Sequence, residues 1–394
     1  MWRVWQPFEE LQRRGYVAEF APIHGCPRCS RSGARPEEAI QSNAPWTCQK
    51  CGHVSRGSDS MEMVSELVAT GRYNAVVTPR VIWPSGAASN FWINTMHKAG
   101  LAWVYETDDD VFSPRIVDRQ SQLFEKERLK GRERLEWERQ ERIRFLSLCD
   151  GVIVSTQRLA TIVRQYAPES TPVCVVPNAI DTAWFKTVLR GCTRVAPPLT
   201  IGWAGGTRQD ADVIPLAEAW HNLAKRYPHV NFVVQGHIPA VLADAVPAER
   251  RYTLPWLELD EYPRGLLNID IGCCALAPTV FNTSKSAIKW YEMTMAGLPC
   301  VVSPTVYGKE VVDGSTALVA MTAAEWEQHL ARLIESAEER RRLQRAARRA
   351  VAAQHSLKTQ WWRWLAAYER ILEAFARKPR LLLPAAGQSA LVRV

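Results

Sequence analysis

The sequence predicts an α/β fold of two doubly wound parallel sheets in tandem, facing each other across a cleft, and three observations predict it. Short apolar runs rich in β-branched residues alternate with helix-patterned stretches, the rhythm of βαβ units. That rhythm pauses after Ile180 and Asp181, at a stretch ending in Val195, Ala196, Pro197 and Pro198, and then restarts. A chain of 394 residues with 47% hydrophobic content is too long for one core and too apolar to stay unfolded, so two compact units are expected.

The elements follow in order. Pro7 at the first helical position, with Glu9 and Glu10 behind it, starts a helix almost at once, and Gly15 stops it. The strand that normally opens a nucleotide-binding half is therefore expected to be absent or reduced to Trp2 to Trp5, as in a truncated chain. Tyr16 to Pro22 reads as an early strand and Glu62 to Thr70 as a helix, so residues 24–53 between them read as an insertion. The strands of the first unit are Asn74 to Thr78, Leu101 to Glu106, Gly151 to Ser155 and Val173 to Pro177. Those of the second are Leu199 to Ala204, Asn231 to Gly236, Ile269 to Leu276, Cys300 to Ser303 and Ala317 to Ala320. Uninterrupted apolar strands are what a sheet covered on both faces requires. Residues 119–148, dense in Glu and Arg at helical spacing, read as a solvated helix, as does the stretch with Arg340, Arg341, Arg342, Arg345, Arg348 and Arg349.

The net charge of +8 favours polyanionic partners such as DNA, anionic glycans or phosphorylated substrates, without choosing among them. No run approaches the roughly 18 apolar residues of a membrane span, and no apolar signal segment opens the chain, so a soluble, cytoplasmic protein is expected. Of ten cysteines, Cys149, Cys174, Cys192, Cys273, Cys274 and Cys300 mostly border apolar runs and read as small core residues. The other four, Cys26, Cys29, Cys48 and Cys51, form a C-x2-C-x18-C-x2-C array, the spacing of tetrahedral zinc. Four thiolates close the coordination shell, so the zinc is expected to be structural, although His24 and His53 are near enough to replace one ligand. Arg28, Arg31, Lys50 and Arg56 make this ribbon basic, fit either to grip an anionic acceptor or to cap the edge of the unit.

The residues that carry chemistry lie at strand ends. Residues 281–303 read as loop, helix and strand, with Lys285, Lys289 and Glu292 at i, i+4 and i+7 on one helix face. Asn282, Thr283 and Ser284 are capping types, so the free amides of the first turn, which includes Ser286, would join Lys285 in an anion site for a diphosphate. Glu292, two turns on, would accept hydrogen bonds from ribose hydroxyls; the same spacing also suits an ordinary amphipathic helix with a Lys289–Glu292 surface pair. Gly205 and Gly206 follow the first strand of the second unit, where a phosphate loop belongs, with Thr207 and Arg208 next. Glu106, Asp108 and Asp110 alternate along a strand end with Asp109 among them, so at least one carboxylate should face the cleft, unless the cluster caps a turn.

These blocks carry a resemblance. Val104 to Phe112 (VYETDDDVF), Asp150 to Thr156 (DGVIVST), Val176 to Asp181 (VPNAID), Ile201 to Thr207 (IGWAGGT) and Phe281 to Ser303 occur in the order found in GT-B glycosyltransferases. The chain most resembles the family 4 retaining enzymes (glycosyl transferases group 1) and their phage and bacterial relatives, over nearly its whole length except residues 24–53 and the last dozen. The resemblance implies a GT-B fold with an inserted zinc ribbon. It assigns residues 1–190 to an acceptor unit, 196–356 to a nucleotide-sugar unit, 357–378 (with Trp361, Trp362, Trp364 and Tyr368) to a helix crossing back to the first unit, and 379–394 to a tail. Asn178 and Asp181 become hinge residues; Gly205, Gly206, Thr207, Arg208, Asn282, Lys285, Ser286, Lys289 and Glu292 become donor-binding residues. Asp108 first, then Asp109, with Glu106 on the same strand end, become the groups beside the acceptor hydroxyl and the reacting sugar. No catalytic metal is implied. Ser284 departs from the pattern, standing where many members carry the first of two glutamates.

The expected function is transfer of a sugar from a nucleotide-diphosphate sugar to an acceptor hydroxyl, with retention, on a glycan or a hydroxymethylated DNA base, in the host cytoplasm if the gene is a phage's. Two other readings stand beside it: a nucleic-acid-binding zinc-ribbon protein, and a GT-B binding protein without catalysis. The cysteine array yields a direct test. Metal analysis should return one zinc per chain, and Cys48→Ser should release it with local unfolding; a metal-free chain that melts normally under strong chelation would exclude the site.

Overall fold

The computed structural model describes residues 5–18, 46–47, 54–55, 59–79, 87–117, 128–192, 198–206, 210–236, 238–257, 261–377, 381–382 and 392–393. Two parallel sheets organise them, as the apolar runs predict. The first comprises β1 (Ala75–Pro79), β2 (Ala102–Thr107), β3 (Gly151–Val154) and β4 (Val173–Val175), side by side in chain order. The second comprises β5 (Thr200–Gly205), β6 (Asn231–Gly236), β7 (Arg251–Leu254), β8 (Ile271–Cys274), β9 (Cys300–Val302) and β10 (Leu318–Val319). Its spatial order is β10-β9-β8-β5-β6-β7, all parallel. The chain fills one wing with β5 to β7 and then crosses back to β8 beside β5. The order reverses there, and the crevice beyond the C-terminal ends of those two strands is where such a sheet takes a ligand.

Both faces of each sheet are covered. On the second sheet, Trp203, Trp220, Phe232 and Leu330 pack on one side and Ile269, Trp290, Met293 and Val302 on the other. On the first, Trp103, Tyr105, Phe112, Phe145 and Val154 fill one side. Phe145 and Leu146 belong to the charged helix Arg128–Leu148, so its end is core rather than a solvated face. The opposite side, with Val104, Ile153 and Cys174, is covered by Trp364, Ala367 and Ile371 of the helix Trp362–Arg377. Gly151 admits that helix: a Cβ there would lie 2.4 Å from a side-chain carbon of Ile371.

The chain thus crosses between the sheets twice, and the crossings bond to each other. Ile180 N donates to His355 O at 2.8 Å, Leu357 N donates to Ile180 O at 3.0 Å, and Ile180 bridges Ser356 in parallel. The first helix, Trp5–Arg13, braces this junction: Gln6 Oε1 accepts from Asp181 N, and Arg14 lies 4.8 Å over the Trp361 ring. Pro7 is the third residue of this helix rather than the first, still within the turn whose amides lack intrahelical acceptors. Tyr16 to Ala18 form no strand, and the rest of that expected strand lies outside the described residues. So do Cys26, Cys29, Cys48 and Cys51; Trp46–Thr47 and Val54–Ser55 pair antiparallel on either side of residues 48–53.

Candidate active site

The crevice at the ends of β5 and β8 is bordered by a tight turn and a short helix. Gly205 ends β5, where a Cβ would meet the Trp203 ring at 2.6 Å, and Gly206 follows it beside Trp256. Thr207 and Arg208 lie outside the described residues. Gly236 ends the neighbouring β6 with φ +95°, and a Cβ there would strike the Gly205 carbonyl at 2.3 Å, so this strand end tolerates only glycine.

Beyond β8 the local structure differs from the spacing argument. Asn282–Ser284 form a separate 3₁₀ turn, and the helix begins at Ile288 without a side-chain cap. The capping types are spent inside: Asn282 Nδ2 donates to Asp212 Oδ1 at 2.5 Å and Ala277 O at 3.0 Å, and Ser284 Oγ donates to Phe281 O at 2.7 Å. Lys285 therefore precedes the helix and does not share a face with Lys289 and Glu292. No described group accepts a hydrogen bond from the amides of Ser286, Ala287, Ile288 or Lys289. Four successive donors at a helix start attract an anion, and Lys285 stands beside them.

Glu292 is 3% exposed, and one of its oxygens is committed. Oε2 accepts from Lys289 Nζ at 3.0 Å and from Tyr262 OH at 3.1 Å, while Lys289 Nζ also donates to the Tyr262 oxygen at 2.7 Å. Burial first, and Glu292 second, push the Tyr262 phenol well above its ordinary range, so it stays a neutral donor. Tyr262 begins the four-residue helix Tyr262–Gly265, thirty residues before its partner, and no spacing rule connects them.

The acidic strand end divides among three tasks. Glu106, 1% exposed, turns away from the cleft to Trp364 Nε1 at 3.3 Å and Tyr368 OH at 3.5 Å, because alternation puts it on the face that the returning helix covers. Asp110 Oδ1 accepts from the amides of Phe112 and Ser113, which is the turn-capping role. Asp109 reaches across the cleft to Lys285, Oδ1 to Nζ at 2.6 Å, and Lys285 Nζ also sits 4.5 Å from the Phe281 ring centroid. Among the described residues no group bonds the Asp108 carboxylate. Two more bonds close the cleft at the same segment: Thr156 Oγ1 donates to Ser284 O at 2.8 Å, and Asn178 Nδ2 donates to Ser286 Oγ at 2.6 Å. Asp181 stays at the junction, capping the helix Thr182–Val188 and accepting from Arg13 at 3.1 Å. Thr156 ends the block Asp150 to Thr156 without being singled out there as a site residue, and Tyr262 lies in none of the blocks.

The second sheet's unit is the part whose sequence is recognisable. Residues 208–366 match the family described as glycosyl transferase-like. The enzyme class is that of a glycosyltransferase. In fold, this glycosyltransferase is similar to the sucrose-phosphate synthase of Thermosynechococcus elongatus, at 12% identity and a TM-score of 0.56 over 94% of this chain and 92% of that one. It is also similar to HepE of Anabaena, solved with UDP and glucose, at 14% identity and a TM-score of 0.52 over 78% and 82%. TarM, known from S. aureus, gives 12% and 0.52 over 82% of this chain and 63% of its own. At such identities the likeness is one of fold, and it agrees with two parallel sheets in a GT-B arrangement. No curated protein matches the chain.

The three bonds into residues 284–286 make a testable latch for the glycosyltransferase. Lys285→Met should speed amide exchange in residues 107–113 and 282–288 by about five- to tenfold, the loss of about 1 kcal/mol of local stability, and leave the Trp220 and Phe232 core unchanged. Unaltered protection in those segments would show that the ion pair does not hold the cleft.

Proposed function

We propose that the chain transfers a sugar from a nucleotide-diphosphate sugar to an acceptor hydroxyl, with retention at the anomeric carbon. The observation that carries this reading is the run of amides at Ser286 to Lys289 without an acceptor among the described residues, beside Lys285 at the crevice of the second sheet, about one helical turn before Glu292. A departing diphosphate needs such donors where its charge develops. Lys285 would give up Asp109 for the phosphates, which leaves the Asp109 carboxylate next to the reacting sugar and Asp108 toward the acceptor. Glu292 would hold the ribose, and Gly205, Gly206, Thr207 and Arg208 would close over the phosphates from the β5 side. UDP is the nucleotide named for HepE, and it is the first to test here. The pattern shared with family 4 supports retention, and it supports residues 1–190 as the acceptor unit, 196–356 as the donor unit and 357–378 as the return helix, with Asn178 and Asp181 at the hinge.

A structural zinc on Cys26, Cys29, Cys48 and Cys51 belongs to the same proposal. The antiparallel pairing of Trp46–Thr47 with Val54–Ser55 supports it, because the second cysteine pair falls in the connection of that hairpin. Zinc there would order the insertion and leave the chemistry to the cleft. No described helix is long and apolar enough to cross a membrane. The net charge of +8 supports a polyanionic acceptor, DNA with hydroxymethylated bases or an anionic glycan, met in the cytoplasm of a bacterium or a phage's host.

Two measurements test these assignments. In calorimetry Glu292→Gln should weaken nucleotide diphosphate binding by about 1.5–3 kcal/mol, the range for a hydrogen bond to a charged group; unchanged affinity would remove the ribose role. Retention on duplex DNA should fall steeply from low to physiological salt, with a shallower slope after charge reversal at Arg28 and Lys50. Transfer to a neutral acceptor with no DNA retention at low salt would reassign the ribbon to a structural cap.

A further inference from the structure

The closed triangle of Tyr262, Lys289 and Glu292 has more order than a surface ion pair needs. Its three polar atoms lie 2.7, 3.0 and 3.1 Å apart, and Lys289 Nζ also sits 4.8 Å from the Tyr262 ring centroid. The Glu292 side chain is 4% exposed and that of Lys289 is 19% exposed, so neither moves freely in water. Both donors converge on Oε2. The other oxygen, Oε1, has no partner among the described residues. A carboxylate can rotate about its last bond and exchange its oxygens; with two donors fixed on one of them, the plane and the free oxygen are both set. Lys289 alone cannot do this, because it sits on the same helix three residues before Glu292 and can follow the carboxylate as it turns. The phenol can, because it comes from a different element, the start of the Tyr262–Gly265 helix.

We infer that Tyr262 is the positioning residue of the nucleotide site, fixing Glu292 so that Oε1 alone is presented to the ribose hydroxyls of the donor. This deepens the reading of Glu292 as the ribose group and rests on it. Burial and Glu292 both raise the phenol above its ordinary range, so Tyr262 keeps its proton as the donor. Tyr262 touches neither the sugar nor the phosphates; it acts through the carboxylate.

The experiment compares UDP, GDP and ADP, each with its 2′,3′-dideoxy counterpart, on the wild-type chain and on Tyr262→Phe, which keeps the ring and removes only the hydroxyl. Wild type should prefer the ribose form of whichever nucleotide it binds. Tyr262→Phe should lose about tenfold in affinity for that form, equivalent to about 1.4 kcal/mol, while its affinity for the dideoxy form stays within about twofold, so the preference for ribose collapses. A purely structural role would lower both affinities alike and preserve the preference, and that result overturns the inference. Wild-type affinity and preference in Tyr262→Phe overturn it as well, while the Glu292 reading stands. Absence of any ribose preference in wild type, or of binding to all three nucleotides, removes the Glu292 reading and the inference with it. Tyr262→Leu, with a melting curve for each variant, separates loss of the hydroxyl from loss of packing.

Discussion

Everything at the cleft depends on two strips of chain lying side by side. The chain leaves the first sheet through Ile180 and returns through residues 355–357, and backbone hydrogen bonds tie the two crossings together. A single linker would leave the sheets free to tumble relative to each other, as most neighbouring units do unless a large apolar interface holds them. A bonded pair of crossings restricts their relative motion to bending about that pair. Gln6 and Arg13 of the first helix then clamp the junction through Asp181, and Glu10 is buried beneath Arg13, on a helix that begins the described chain.

Given that restriction, a few polar contacts suffice to set the cleft. Residues 284–286 receive Thr156, Asp109 and Asn178 from three strand ends or connections of the first sheet. All of these contacts fall on the anion-attracting segment. Phosphates at that segment would compete with Asp109 for Lys285, one of the three contacts that close the cleft. A ligand that takes Lys285 from Asp109 changes the charge on the facing wall as it binds, and its affinity carries the difference between the two arrangements.

How much of this was readable in residues alone depended on what each signal encodes. Nine strands announce themselves because strands covered on both faces are apolar throughout. β7 is the exception: Arg251, Tyr252, Thr253 and Leu254 form the outer strand of their sheet, half in water, where no apolar run is required. The residue types of Asn282 and Ser284 pointed to a cap, and buried hydrogen bonds to Asp212, Ala277 and Phe281 claimed them instead, which moved Lys285 off the helix. Alternation puts Glu106 on one face of β2, yet which face the last helix would cover is tertiary information, so Glu106 was counted with the cleft; Asp108, Asp109 and Asp110 lie beyond the strand, where alternation no longer places them. Tyr262 was illegible for the same reason, since only the folding of β7 and β8 around it brings it to Glu292.

The covering of the first sheet by the last helix also sets a schedule for biosynthesis. Glu106 and Trp364, bonded in the folded protein, are 258 positions apart. At a translation rate of about 5–20 residues per second, roughly 13 to 50 s separate their emergence from the ribosome. Once Cys174 has joined Val104 and Ile153, these residues lack their apolar cover until that helix is made, because the first sheet's own helices pack on its other side. The first sheet therefore completes its core only when the C-terminal helix arrives.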